Sequence, residues 1–263
     1  MIAAFVFKLL AGITLAWITM PRKLVADGFF RIQMLVVLGL AVLLVLAVDP
    51  VSLAGNAPAS PNELSSVPQF ARWLRGLAFA SAVIAYPGHI LWKLGRRTPG
   101  NLCINAISLL AIAALGLFSF CSARSNSVAL QLLADFSSAA VLGSVLTGML
   151  LGHWYLTTPS MSLKPLLWFT PFLAIAAAAR LAATGWALSV NGLPPADLVR
   201  VIWLTLRILG GIIAPAVAAL AVHKILQYRN TQSATGVLFA VLILVFMGEM
   251  SAALLQQDLG VPY

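Results

Sequence analysis

The chain has 263 residues, of which 61% are hydrophobic and 9% charged, and its formal net charge is +9. Charged residues make up about 25% of soluble proteins, so this composition excludes a soluble globular fold and makes lipid the solvent for most side chains. The basic residues are scattered at the ends of apolar runs and form no block. This pattern excludes a nucleic-acid surface and fits orientation across a membrane.

Eight apolar runs follow one another along the chain, each close to the ~20 residues that cross about 30 Å of hydrocarbon. They cover residues 2–20, 33–48, 73–92, 102–120, 130–156, 166–190, 201–226 and 234–257. We therefore predict an all-α, polytopic helical bundle in the lipid bilayer, with residues 1–263 as a single transmembrane domain. The first run lacks a basic n-region and a small-residue cleavage site, so it is predicted to be a retained span.

The connections between the runs differ in charge. The longest, 49–70, is rich in proline and serine, so we predict an irregular surface loop there. Nine basic residues lie in or beside the odd-numbered connections: Arg22, Lys23, Arg31, Lys93, Arg96, Arg97, Lys164, Lys224 and Arg229. The opposite side of the bundle has four basic residues, Arg72, Arg75, Arg124 and Arg200, together with the acidic Asp49, Glu63, Asp197 and Asp258. The positive-inside rule then predicts both termini on the non-cytoplasmic side. The expected location is the bacterial cytoplasmic (inner) membrane.

Small residues and helix breakers indicate where helices approach closely. Gly148 and Gly152 form a small-residue motif in the fifth run, which allows two backbones to come together in lipid. Gly210, Gly211 and Pro215 lie in the seventh run and predict a kinked or locally loosened helix there.

Three ionisable residues lie deep in the last three runs. Arg180 lies about 15 Å and Glu249 about 12 Å from the outer ends of their runs, at ~1.5 Å per residue, and Arg207 lies at a similar depth. Because isolated charges are costly in hydrocarbon, we predict that the three side chains meet. Asp135 of the fifth run could balance the second arginine. The cluster is either a ligand-binding or proton-handling site or an ion network that fixes helix packing.

The three histidines lie near the cytoplasmic ends of their runs. His89, His153 and His223 could act as a haem-ligating pair, or one of them could donate to a quinone carbonyl. Gly88 and Gly152 precede two of these histidines and would leave room for a flat cofactor. The same positions also suit simple anchoring at the headgroup level. His153 lies five helical turns from Asp135, so both are predicted to face the same bundle interior. The two isolated cysteines indicate no metal site.

The last two runs resemble those of one known family. The sequence FMGEM around Glu249, the arginine Arg207 after the start of the seventh run, and eight spans with both ends outside resemble the quinol-interacting membrane-anchor subunits of dimethyl sulfoxide and polysulfide reductases. The resemblance implies that Glu249, Arg207 and one histidine lie near a quinol. It also implies a haem-free subunit that passes electrons to an iron–sulfur partner.

Three functions are therefore open at the level of sequence. The first is a membrane-embedded subunit of a redox complex that contacts quinone or quinol and works with other membrane or redox subunits, with haem b as a less favoured cofactor. The second is a small-molecule or ion transporter that uses Arg180, Arg207 and Glu249. The third is a structural or assembly subunit without chemistry of its own.

Overall fold

A computed structural model of the chain describes residues 2–48, 61–123, 127–158, 161–195 and 197–263, and for residues 61–66 it describes the backbone only. These residues form helices and turns and contain no strand. Eight of the helices are long and apolar enough to cross a membrane, so the predicted all-α class and the predicted number of membrane-length helices are confirmed.

The eight long helices are numbered here in chain order. They are α1 (Ile2–Thr19), α2 (Asp27–Ala47), α3 (Pro61–Lys93), α4 (Arg97–Ser122), α5 (Val128–Thr157), α6 (Lys164–Asn191), α7 (Leu198–Gln227) and α8 (Thr231–Leu259). A short 3₁₀ turn, Arg22–Leu24, connects α1 to α2.

Two helices begin earlier than the apolar runs indicated. Helix α2 begins at Asp27 and not at residue 33, and α3 begins at Pro61 and not at residue 73. An apolar run marks only the part of a helix that suits hydrocarbon, and the polar first turns of both helices precede that part. Proline is well suited to the first turn of a helix. The predicted irregular loop over 49–70 is therefore wrong for 61–70, and 49–60, including Asp49, lie outside the described residues, as does Arg124.

Helices α1 and α5 form the centre of the bundle. In α5, 67% of the most apolar window is buried and in α1 61%, against 33% in both α3 and α7. Helix α1 packs against α2, α4 and α5, and α5 packs in turn against α4, α6 and α8. Side chains on the outer faces are mostly large and apolar, such as Leu109, Ile175 and Leu220. This distribution is the one expected of a bundle whose surroundings are lipid.

A glycine pair brings α1 and α5 into direct backbone contact. A Cβ atom placed on Gly12 would overlap the carbonyl of Ala139, and one placed on Gly143 would overlap the backbone of Gly12. Of the predicted small-residue motif, Gly152 lies close to the hydroxyl of Thr235 in α8, whereas Gly148 has only ordinary contacts. The closest approach of α5 is therefore one turn away from the predicted motif.

Helix α7 is interrupted where the sequence predicted a loosened helix. Residues Leu209–Ile213 form a π turn, followed directly by Ala214 and Pro215 in regular helix. Proline has no N–H to donate, and its ring crowds the carbonyl four residues earlier, here that of Gly211. A π turn widens the helix locally and so relieves that crowding.

Candidate functional site

Arg207 and Glu249 form an ion pair inside the bundle. Nη1 of Arg207 donates to Oε1 of Glu249, and the two side chains are 0% and 1% exposed. The second terminal nitrogen, Nη2, donates to the hydroxyl of Ser138 at 3.3 Å, and that hydroxyl also interacts with the Glu249 carboxylate. Of the three ions predicted to meet, Arg207 and Glu249 are therefore in direct contact, as expected.

The π turn determines where this pair lies. Arg207 is two residues before the turn, and the two glycines of the turn pack directly on α8. A Cβ atom on Gly210 would lie 2.6 Å from the carbonyl oxygen of Leu244, and one on Gly248 would lie 2.5 Å from the amide nitrogen of Gly211. Because Glu249 follows Gly248, this backbone contact places the carboxylate beside the guanidinium.

The pair is not fully hydrogen-bonded. Oε2 of Glu249 and Nε of Arg207 are buried and form no hydrogen bond of ordinary geometry with the described residues. Buried polar atoms in native proteins are nearly all paired. Each of the two ions therefore has a buried hydrogen-bonding position that no described residue fills.

A second buried ion pair joins α1 to α5. Nζ of Lys8 lies 2.9 Å from Oδ1 of Asp135, and the two side chains are 12% and 1% exposed. The other oxygen, Oδ2, accepts from the hydroxyl of Ser119 at 2.7 Å and from the amide of Gln131 at 2.9 Å. Gln131 in turn accepts from Gln256 of α8 at 3.3 Å. Asp135 is therefore fully hydrogen-bonded.

Three cations from three different helices converge on little more than one turn of α5. Lys8 contacts Asp135, Arg207 contacts Ser138, and Nη1 of Arg180 donates to the carbonyl oxygen of Ala134 at 3.0 Å. The charge of Lys8 also acts on the carboxylate of Glu249, so the two ion pairs are electrostatically linked. Helix α5 thus organises the charged centre of the bundle.

Arg180 does not join the pair that the sequence predicted for it. Its guanidinium donates to the main-chain oxygens of Ala134, at 3.0 Å, and Tyr263, at 2.6 Å. Among the described residues no Asp or Glu carboxylate lies within 4.0 Å of it, and its Nε is buried without a hydrogen-bond partner. The expectation that Asp135 balances this arginine is also wrong, because Asp135 pairs with Lys8. Main-chain oxygens accept from both terminal nitrogens of Arg180 instead, and a residue pattern does not reveal such partners.

Lys8 is the residue that the sequence reasoning missed. A lysine near a helix end can extend to the membrane surface, so the position of Lys8 in the sequence does not by itself indicate a buried partner. A depth comparison would have identified it, because Lys8 lies six residues into α1 and Asp135 seven residues into α5. At ~1.5 Å per residue both lie about 10 Å from the same side of the bundle.

The structure places the three histidines on the periphery. Nδ1 of His89 lies 3.0 Å from the carbonyl oxygen of Arg31, which it can contact as a donor, and Nδ1 of His223 lies 3.1 Å from the hydroxyl of Thr170. His153 is exposed, so the prediction that it faces the interior with Asp135 is wrong. The three histidines belong to three different helices, His89 to α3, His153 to α5 and His223 to α7.

The space beside the two glycines that precede histidines is filled by protein. A Cβ atom on Gly88 would lie 3.0 Å from the sulfur of Met34, and one on Gly152 would lie 2.5 Å from the hydroxyl of Thr235. The described residues contain no group of three or more His, Cys, Asp or Glu side chains that could hold a metal ion.

Comparisons with protein-family models, with curated proteins and with solved structures found no match to this chain.

Proposed function

We propose that this protein is a membrane-embedded subunit of a redox complex that contacts quinol and in which Glu249 takes up protons released when the quinol is oxidised. One observation carries the proposal: the Arg207–Glu249 pair is fully buried at the α7–α8 contact, yet one oxygen of the carboxylate has no hydrogen bond of ordinary geometry. Ionisable residues inside a membrane are costly and commonly serve ion or proton movement.

A quinol carries its protons on oxygen atoms and loses them as it loses electrons. A carboxylate in an apolar region is a suitable acceptor if it lies within hydrogen-bond reach of the ring oxygen. In this role Oε2 of Glu249 receives the proton, while Arg207 holds the carboxylate in position through Oε1.

The α7–α8 contact offers access from the hydrocarbon. Ile213, at the end of the π turn, is 45% exposed, and Met250, next to Glu249, is 39% exposed. The buried pair therefore lies one layer behind an apolar surface. A small shift of α7 at its π turn would expose the pair to the lipid phase, in which a quinol diffuses.

The electron-transfer partner and the membrane location belong to the same proposal. The resemblance of the last two helices to quinol-interacting anchor subunits supports an iron–sulfur partner. The charge difference between the connections supports both termini on the non-cytoplasmic side of a bacterial cytoplasmic membrane.

Gentle purification followed by identification of whatever accompanies the protein tests this proposal. We expect an iron–sulfur or related redox subunit, and quinone in the organic extract, both identified by mass spectrometry. An absorbance scan before and after reduction tests for haem in the same sample. Protein free of both quinone and redox partners would contradict the proposal.

The π turn supports a second candidate function, a small-molecule or ion transporter. Irregular turns in membrane helices provide sites at which a helix can bend or rotate, and Arg207 lies immediately before this one. Proteoliposomes distinguish the two functions. Uptake of a solute driven by a proton gradient, in the absence of any redox partner, would favour transport.

A further inference from the structure

A groove lies at the end of the bundle opposite the ion pairs, far from the proposed quinol site. It has a volume of about 540 Å³ and is lined by Met20, Pro21, Arg22, Lys23, Leu24 and Asn101. Residues 20–24 form the turn between α1 and α2, and Asn101 lies in the second turn of α4. The groove is therefore bounded by the ends of three membrane-length helices.

Hydrogen-bond donors dominate the polar part of this groove. The guanidinium of Arg22 donates to Oδ1 of Asn101 at 3.2 Å and to Oδ1 of Asn105 at 2.8 Å. Both amide oxygens thus accept from Arg22, and among the described residues no hydrogen bond engages the two amide NH₂ groups, the remaining N–H groups of Arg22 or the ammonium of Lys23. A set of donors without free side-chain acceptors suits an anion.

The positive charge in the groove is not balanced by protein. Among the described residues no carboxylate lies within 4.0 Å of Arg22 or Lys23, because the nearby Asp27 is paired with Arg97 at 2.7 Å. Arg22 is half-buried, and burial lowers the pKa of its guanidinium. A half-buried cation without a counter-ion is stabilised when an anion approaches it.

The groove is also held in a fixed shape. Arg97, at the start of α4, donates to the carbonyl oxygens of Lys23 at 3.1 Å and Val25 at 3.4 Å. The same guanidinium bonds Asp27 at the start of α2. One arginine thus ties the turn to both neighbouring helices, and the donors do not need to be ordered when a ligand binds.

We propose that this groove binds the phosphate of an anionic phospholipid. The phosphate accepts hydrogen bonds from Arg22, Lys23 and the amide of Asn101, and the acyl chains lie along the apolar side chains of Met20 and Leu24. The ends of membrane-length helices lie at the level of the lipid headgroups, where basic side chains attract anionic lipids. Leu24 is 41% exposed and contributes an apolar surface beside the charges.

Competition between two lipids tests the inference. Purified protein in detergent is mixed with equal amounts of dioleoyl phosphatidylglycerol, which is anionic, and dioleoyl phosphatidylcholine, which is zwitterionic. Retained lipid is then counted by native mass spectrometry. We expect preferential retention of phosphatidylglycerol, and a loss of about five-fold in that preference in Arg22→Gln, as expected for one basic residue near a membrane surface.

The matched control is Lys224→Gln, which removes one exposed charge from the last turn of α7 and should leave the preference unchanged. If Arg22→Gln folds poorly, Lys23→Gln replaces it, because Lys23 is exposed and its side chain forms no contact that holds the turn. Equal retention of the two lipids by the wild type, or an equal loss in the control, would overturn the inference. Displacement of the lipid by millimolar inorganic phosphate would assign the groove to a soluble anion and overturn it as well.

Discussion

The two ion pairs of this bundle have the same chemistry but different surroundings. The pair between Lys8 and Asp135 joins two regular helices, and every oxygen of its carboxylate is hydrogen-bonded. The pair between Arg207 and Glu249 lies beside a π turn, and one carboxylate oxygen has no bond of ordinary geometry. Complete hydrogen bonding fixes a charge in one state, whereas an open position leaves it able to exchange a proton. We therefore assign packing to the first pair and chemistry to the second.

The largest expected effect on stability comes from breaking the pair assigned to packing. Asp135→Ala leaves Lys8 buried without a counter-ion, and removing one partner of a buried pair typically costs about 3–5 kcal/mol. The free energy of unfolding is measured by denaturant titration in mixed micelles. The double variant Lys8→Met/Asp135→Leu should recover most of this loss, because it leaves no unpaired charge at the α1–α5 contact. A single substitution that costs less than about 1 kcal/mol would contradict the assignment.

The second largest loss of stability is expected at the backbone contact between Gly12 of α1 and Gly143 of α5. Gly143→Ala adds a methyl group where the backbone of Gly12 already lies, and overpacking of this kind costs up to about 3 kcal/mol. Gly116→Ala is the control, because a Cβ atom there has no neighbouring atom within 4 Å. Equal stability of the two variants would show that α1 and α5 do not pack as described.

A smaller effect is expected from the hydrogen bonds around Asp135. Gln131→Leu removes one donor to the carboxylate and the longer bond from Gln256, and it leaves the bonds of Asp135 to Lys8 and Ser119 in place. A hydrogen bond to a charged group contributes about 1.5 kcal/mol, and the same titration measures the loss. Gln227→Leu, at an exposed position at the end of α7, should have almost no effect. An equal loss in the free energy of unfolding of this control would contradict the predicted contribution of the Gln131–Asp135 hydrogen bond.

Parts of the fold and of the charged centre could be predicted from the sequence. Apolar runs predicted the eight helices, because hydrocarbon imposes a minimum length on each span. Comparable depth predicted the meeting of Arg207 and Glu249, since each is the only ion in its part of a helix. The glycines and Pro215 predicted the irregularity in α7, although not that it is a π turn.

Other features could not be predicted from the sequence, for physical reasons that the structure identifies. The partners of Arg180 are main-chain oxygens, which every residue carries, so nothing in the pattern identifies Ala134 or Tyr263. Lys8 was missed because the ammonium of a lysine near a helix end can be stabilised in two ways. It can extend to water at the surface, or it can pair with a buried carboxylate. Only the packing of α1 against α5 decides between them.

The most direct test of the central claim compares two substitutions that remove the same charge. Glu249→Gln and Asp135→Asn each replace a buried carboxylate by an amide of similar shape, and each variant is assayed for quinol oxidation in the complex purified with its partners. We predict that Glu249→Gln lowers turnover by about 10²-fold or more, the usual contribution of a proton-transfer group. Asp135→Asn should lower the melting temperature while the folded protein keeps its turnover. Full turnover in Glu249→Gln with only a lowered melting temperature would contradict the account and leave both pairs with a packing role.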